Sequence, residues 1–166
     1  MSQTPTRPNR ILAIDPTTKG FGYVILDLPS HLVAWGMAHV EGEKRSGAVA
    51  RFVSLLDQFR PDAVVLEDTT AQGSRRYPRV RDLLEALAKV ARERGLEVHT
   101  VSRLAVIACF SSKDEQATKH SIATTLAVAY PELAEKVPKK RKTWQSEDER
   151  IAVFDALSLA VTFAGK

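Results

Sequence analysis

Three acidic residues stand where a carboxylate is costly to bury. Asp15 ends the apolar run Ile11-Leu12-Ala13-Ile14, and Glu67 ends the similar run Ala63-Val64-Val65-Leu66. Asp155 lies inside an apolar stretch, flanked by Phe154 and by Ala156-Leu157. An acid in such a place needs water, a cationic partner or a bound cation. If the last helix packs near the strand ends, the three carboxylates converge. Hard oxygen ligands of this kind suit Mg²⁺ or Mn²⁺ rather than zinc. Two such ions can hold a phosphodiester, activate water and stabilise a leaving oxygen. Each acid also has a plain reading. Asp15 precedes Pro16 and could simply serve a turn. Glu67 could pair with a nearby arginine, with Asp68 beside it an equal candidate. Asp155 could belong to a buried salt bridge.

Two basic segments could meet phosphate. The stretch Gly73-Ser74-Arg75-Arg76-Tyr77-Pro78-Arg79-Val80-Arg81 sets four arginines around one tyrosine, just after Glu67. Arginine suits phosphate, and an exposed aromatic can stack on an unpaired base. The second segment holds Lys136, Lys139, Lys140, Arg141 and Lys142, followed by Trp144. Either could equally be a solvated loop. The absence of acids from the lysine run favours phosphate contact. No serine or cysteine triad is visible, since Cys109 sits in an apolar run and no motif places a histidine.

The elements that must position these residues are read from periodicity. Ile11–Ile14, Gly22–Leu26 and Leu32–Met37 are short β-rich runs with tight connections, which predicts an antiparallel meander. Val49, Phe52, Val53, Leu56 and Phe59 recur at helical spacing, giving a helix over about 46–59 stopped at Pro61. Ala63–Leu66 is a fourth strand, residues 72–81 a polar loop, and Leu83, Leu84, Leu87 and Val90 mark a helix capped by Gly95. Glu97–Val101 is a fifth strand. A short helix over 104–110 and a longer one over 116–129 follow, then an irregular linker over 131–145. Ser146 and Glu149 have capping-box spacing, opening a last helix that runs to about Phe163. This order predicts an α/β fold, a mixed five-stranded sheet with helices on both faces.

With 166 residues and 44% hydrophobic content, the chain can bury a sizeable core as one domain, here 10–166 behind a disordered tail of nine residues. The net charge of +4 permits nucleic-acid binding without demonstrating it. Cys109 is the only cysteine, which excludes an intrachain disulfide and zinc-ribbon spacing and reads as a small core residue. No apolar run is long enough to span a membrane and the start has no secretory character, so a cytoplasmic protein is expected.

The stretch Ile11–Ile25, with Asp15-Pro16-Thr17-Thr18-Lys19-Gly20 at its centre, resembles the first motif of RuvC-type Holliday-junction resolvases, in the ribonuclease H-like superfamily. Asp62–Glu67 is similar to their second motif, and Phe154-Asp155-Ala156-Leu157-Ser158-Leu159-Ala160 resembles the last. The resemblance runs in order along nearly the whole chain. It implies a ribonuclease H-like fold and a homodimeric, Mg²⁺- or Mn²⁺-dependent endonuclease that nicks branched DNA symmetrically. Asp15 would then bridge two metal ions, with Glu67 and Asp155 holding one each. It also implies a role for Lys119 near the scissile phosphate, and the basic segments read above then put Arg75, Arg76, Tyr77, Arg79, Arg81, Lys139, Lys140, Arg141 and Lys142 on DNA together with Lys119.

Two departures stand out. The family usually has a second Asp three residues before the last, where this chain has Ala152. Asp148 lies seven residues before Asp155 on the same helical face and is the best substitute, but about 10 Å along the axis. The aromatic that the family places three residues after its second acid is Thr70 here, leaving Tyr77 as the nearest. Three other readings are open. One is a YqgF-like nuclease acting on structured RNA. Another is a branched-DNA-binding protein without catalysis, suggested by Ala152. The third is a sugar-kinase-like phosphate loop, for which the chain is too short.

Overall fold

The computed structural model describes residues 7–71, 76–140, 142 and 149–165. The first apolar run lies in β1 (Arg10–Pro16), which pairs antiparallel with β2 (Gly20–Asp27). That strand pairs antiparallel with β3 (His31–His39), so the meander forms as expected. Helix α1 (Lys44–Phe59) then crosses to β4 (Ala63–Glu67), which lies parallel to β1. Helix α2 (Pro78–Glu93) crosses again to β5 (Glu97–Val101), parallel to β4. The sheet order is β3-β2-β1-β4-β5. Helices α3 (Arg103–Phe110), α4 (Lys119–Ala129) and α5 (Ile151–Ala164) complete the fold.

The alternation of strand side chains divides the core in two. Leu12, Ile14, Val64 and Leu66 face one way, against Phe52, Leu55 and Leu56 of α1 and Leu84 and Leu87 of α2. Ile11, Ala13, Ala63 and Val65 face the other way, against Phe154, Leu157 and Ala160 of α5 and Ile122 and Leu126 of α4. Helix α5 is buried almost all round, as a helix apolar on every face must be.

Local chemistry explains several helix ends. Glu43 caps α1, accepting from the Arg45 and Ser46 amides at 3.1 and 2.6 Å. Gly95 takes φ +77° after α2, the left-handed conformation expected of it. Thr118 and Ser121 form a reciprocal capping box on α4.

Four features differ from the sequence reading. Helix α2 begins at Pro78, five residues before Leu83, because proline fits the first helical position and holds Tyr77 extended before it. Arg79 and Arg81 therefore sit on a helix, not in a loop. Pro131–Lys136 forms a 3-10 helix anchored by fully buried Leu133, where an irregular linker was expected. Cys109 is exposed, because α3 buries only Val106 and turns the Cys109 face outward. Helix α5 starts at Ile151 with Arg150 at its cap position and no side-chain cap, and Ser146 lies outside the described residues. Glu149 precedes that helix, and its carboxylate is engaged elsewhere, 3.2 Å from Lys19 Nζ and 3.1 Å from His39 Nε2.

The chain leading into β1 is also tied down. The Asn9 and Arg10 amides donate to Asp62 Oδ2 at 3.0 and 2.9 Å. No helix among the described residues is long and apolar enough to cross a membrane.

Candidate active site

Strand register brings the first two acids together. Ile11, Leu12 and Ala13 of β1 stand beside Ala63, Val64 and Val65 of β4. The same offset carried two residues further sets Asp15 beside Glu67, at the ends of neighbouring parallel strands. Both have the parity of Ile11 and Ala63, so both project to the face covered by α5. Asp155 reaches the same place from α5. The three carboxylates are buried, with 5, 9 and 6% of their surface exposed for Asp15, Glu67 and Asp155.

Gly22 sets the depth of α5. It stands beside Asp15 in the β1–β2 ladder. A β-carbon built at Gly22 would lie 2.6 Å from the Ala152 carbonyl carbon, so only glycine lets the helix backbone come this close. Ala152 is one helical turn before Asp155, and this approach lowers Asp155 onto the strand ends.

Among the described residues, three cations are paired with the acids. Arg76 donates from Nε to Glu67 Oε2 at 2.9 Å and from Nη2 to Asp15 Oδ1, joining the two strand ends through one guanidinium. Lys119, the first residue of α4, donates from Nζ to Asp155 Oδ2 at 3.1 Å. Arg103, the first residue of α3, places Nη1 3.7 Å from Asp155 Oδ1. Val101, which pairs with Glu67, is followed by the α3 cap Ser102 and then Arg103, so the end of β5 delivers that arginine to the site.

The electrostatics follow from burial and crowding. Burial pushes the Asp15 carboxyl up to about 7; the neighbouring Asp155 charge adds to this, and Arg76 and Lys119 offset part of it. Burial also works against the Arg76 charge, but Asp15 and Glu67 outweigh it and hold the guanidinium above its ordinary value. Three hard carboxylates crowded at one place are of the donor type that suits a divalent cation. In this conformation the cations hold the carboxylates. Among the described residues, no three His, Cys, Asp or Glu side chains are gathered closely enough to hold a metal ion.

The structure thus brings together Asp15, Glu67, Asp155 and Lys119. Arg76, expected on DNA, is turned inward onto two of the acids. Tyr77, next to it, is 73% exposed. Arg79 and Arg81 are exposed on the first turns of α2, and Lys139, Lys140 and Lys142 are exposed after the 3-10 helix. Arg75, Arg141 and Asp148 lie outside the described residues. Sequence reasoning missed Arg103. Its signal was positional, an arginine two residues past the strand that flanks Glu67.

No protein-family model matches the chain, and no curated protein sequence matches it. Solved structures do. Thermus thermophilus RuvC superposes with a TM-score of 0.64 at 20% identity, covering 93% of each chain. T. thermophilus RuvC in complex with a Holliday junction substrate gives 0.63 at 19%, covering 93% of this chain and 92% of that one. The yeast mitochondrial Holliday junction resolvase Ydc2 gives 0.65 at 16%, covering 97% of this chain and 80% of that one. The mixed sheet with its three-stranded meander, two parallel strands and flanking helices is therefore the ribonuclease H-like fold that the RuvC-type resolvases share.

Proposed function

We propose that this protein is a metal-dependent endonuclease that nicks four-way DNA junctions. The observation that carries the reading is the convergence of Asp15, Glu67 and Asp155, from two strand ends and one buried helix, in a fold shared with junction resolvases. Asp15, Glu67 and Asp155 would hold one or two Mg²⁺ or Mn²⁺ ions. Such ions, when bound, polarise phosphoryl oxygens and acidify water.

The remaining roles belong to the chain's own residues. Gly22 and Ala152 fix how far Asp155 reaches toward Asp15. Lys119 and Arg103 place positive charge beside Asp155, where a phosphate would gain negative charge during hydrolysis. Tyr77, exposed at the start of α2, offers a face for an unpaired base at a branch point. Arg79, Arg81, Lys139, Lys140 and Lys142 give phosphate contacts that position without reading sequence. Symmetric cutting of a four-way junction needs two sites related by a two-fold axis, so the working form is a homodimer. The composition fits a cytoplasmic setting.

Cleavage of a labelled four-way junction, its linear duplex arms and a structured RNA, compared in Mg²⁺, tests the reading. Paired nicks in the junction alone are expected. Cleavage of the RNA with the junction left intact would replace this reading with the RNA nuclease.

A further inference from the structure

Arg76 stands where a cation shared by Asp15 and Glu67 would have to stand. One edge of its guanidinium serves both carboxylates, and it is three-quarters buried between them. Asp155 is paired with Lys119 and Arg103. Arg76 is the ion-pair partner that Asp15 and Glu67 share, with the Lys119 charge also acting on Asp15, so a metal ion shared by these two acids has to displace Arg76.

Arg76 is also placed to leave. It belongs to neither a helix nor a strand, and α2 begins two residues later, so a rotation of its side chain breaks no backbone ladder. Directly after it come exposed Tyr77 and the exposed Arg79 and Arg81. A DNA strand docking on that segment presents phosphates beside Arg76. A guanidinium takes phosphate oxygens in the same forked geometry as carboxylate oxygens.

We propose that Arg76 is a built-in counter-ion that keeps divalent metal off Asp15 and Glu67 until a DNA phosphate draws the guanidinium away. The inference rests on the nuclease reading above and adds the regulation of that site. Metal loading is then coupled to substrate docking. By linkage, the junction raises metal affinity by the same factor that metal raises junction affinity. A free enzyme with its acids held by Arg76 would be idle on DNA that does not engage the α2 segment.

The test is Mn²⁺ binding by the full chain, followed by the paramagnetic resonance signal of free Mn²⁺. Wild type, Arg76→Gln, Arg76→Lys and Asp15→Asn are compared, with and without a four-way junction. Arg76→Gln should bind Mn²⁺ about tenfold tighter than wild type. Arg76→Lys, which keeps the charge but cannot fork across both acids, should lie between them. The junction should raise wild-type Mn²⁺ affinity and change Arg76→Gln little. Without metal, Arg76→Gln should melt at a lower temperature than wild type, because two buried acids lose their partner, and should gain more on adding Mn²⁺. Equal or weaker Mn²⁺ binding by both Arg76 variants overturns the counter-ion role, and an unchanged wild-type affinity with junction overturns the coupling. The nuclease reading survives either result if Asp15→Asn still weakens Mn²⁺ binding. Unchanged binding in Asp15→Asn overturns that reading, and the proposal with it.

Discussion

Gly22 of β2 and Ala152 of α5 meet backbone to backbone, with a β-carbon at Gly22 placed 2.6 Å from the Ala152 carbonyl carbon and 2.7 Å from its methyl. One neighbour of this meeting point is Asp15, across the ladder from Gly22. The other is Asp155, one turn along the helix. The separation of these two acids is set by how closely strand and helix approach.

Gly22→Ala should therefore act on both stability and activity. The atoms it meets are mostly backbone and cannot swing aside, so overpacking should cost about 1–3 kcal/mol. Melting should fall by roughly 2–4 °C for each kcal/mol of destabilisation. Nicking should fall further than the unfolded fraction explains, since a shift of about 1 Å in a catalytic group can cost about 100-fold. Adding Ala152→Gly should restore only part of the loss, because the Ala152 carbonyl remains in the way. Thermal melts and single-turnover nicking check both effects.

The Arg10–Asp27 pair gives a pH signature at the far end of the same strands. Arg10 donates from Nε to Asp27 Oδ1 at 2.6 Å and from Nη2 to Asp27 Oδ2 at 3.0 Å, across the first rung of β1 and β2. These bonds hold the Asp27 carboxyl below its ordinary value of 3.8. A lowered folded value means that the unfolded chain takes up the proton first as pH falls. The pair's contribution is thus complete above about pH 4 and disappears as the pH drops through the folded value. Asp27→Asn should cost up to about 1 kcal/mol at pH 7, and the difference from wild type should shrink toward pH 3. Urea titrations at pH 7, 5 and 3 measure it.

Branch recognition should separate from phosphate binding. Tyr77→Ala should weaken junction binding by roughly 10–100-fold, the range expected when one base loses a stacking partner worth about 1–3 kcal/mol, while Tyr77→Phe keeps most of it. Its effect on linear duplex should be small. Lys139→Ala with Lys140→Ala should weaken all DNA alike and flatten the salt dependence by about one unit for each phosphate no longer neutralised. Binding isotherms at several salt concentrations distinguish the two behaviours.

The reach of the sequence was uneven for physical reasons. Asp15 and Glu67 were visible because each ends an apolar run, and two parallel strands with short apolar cores must end together. Asp155 was visible because an acid in an otherwise apolar helix needs a partner. A nearby arginine for Glu67 and a salt bridge for Asp155 were foreseeable as kinds of partner, and both form, but that Arg76 would also reach Asp15 and that Arg103 would serve Asp155 were not. Their positions depend on where a loop and a strand end lie in three dimensions, and no local pattern records that. Cys109 misled because apolar neighbours in sequence were taken for apolar neighbours in space, whereas α3 buries Val106 fully, packs Ala105 and Phe110 against the core and leaves Cys109 exposed. Glu149 fits a capping box by spacing, but Lys19 and His39 hold it and the helix starts after it.

The central claim is that Asp15, Glu67 and Asp155 form the hydrolytic centre of a junction nuclease. A labelled four-way junction incubated with wild type or Asp15→Asn, in Mg²⁺ or Mn²⁺, tests it most directly, with binding measured in parallel without metal. Paired nicks by wild type are expected, with none by Asp15→Asn, which should bind the junction at least as tightly because one buried negative charge is gone. Nicking by Asp15→Asn at the wild-type rate, or tight binding by wild type with no nicks in either metal, would contradict the account.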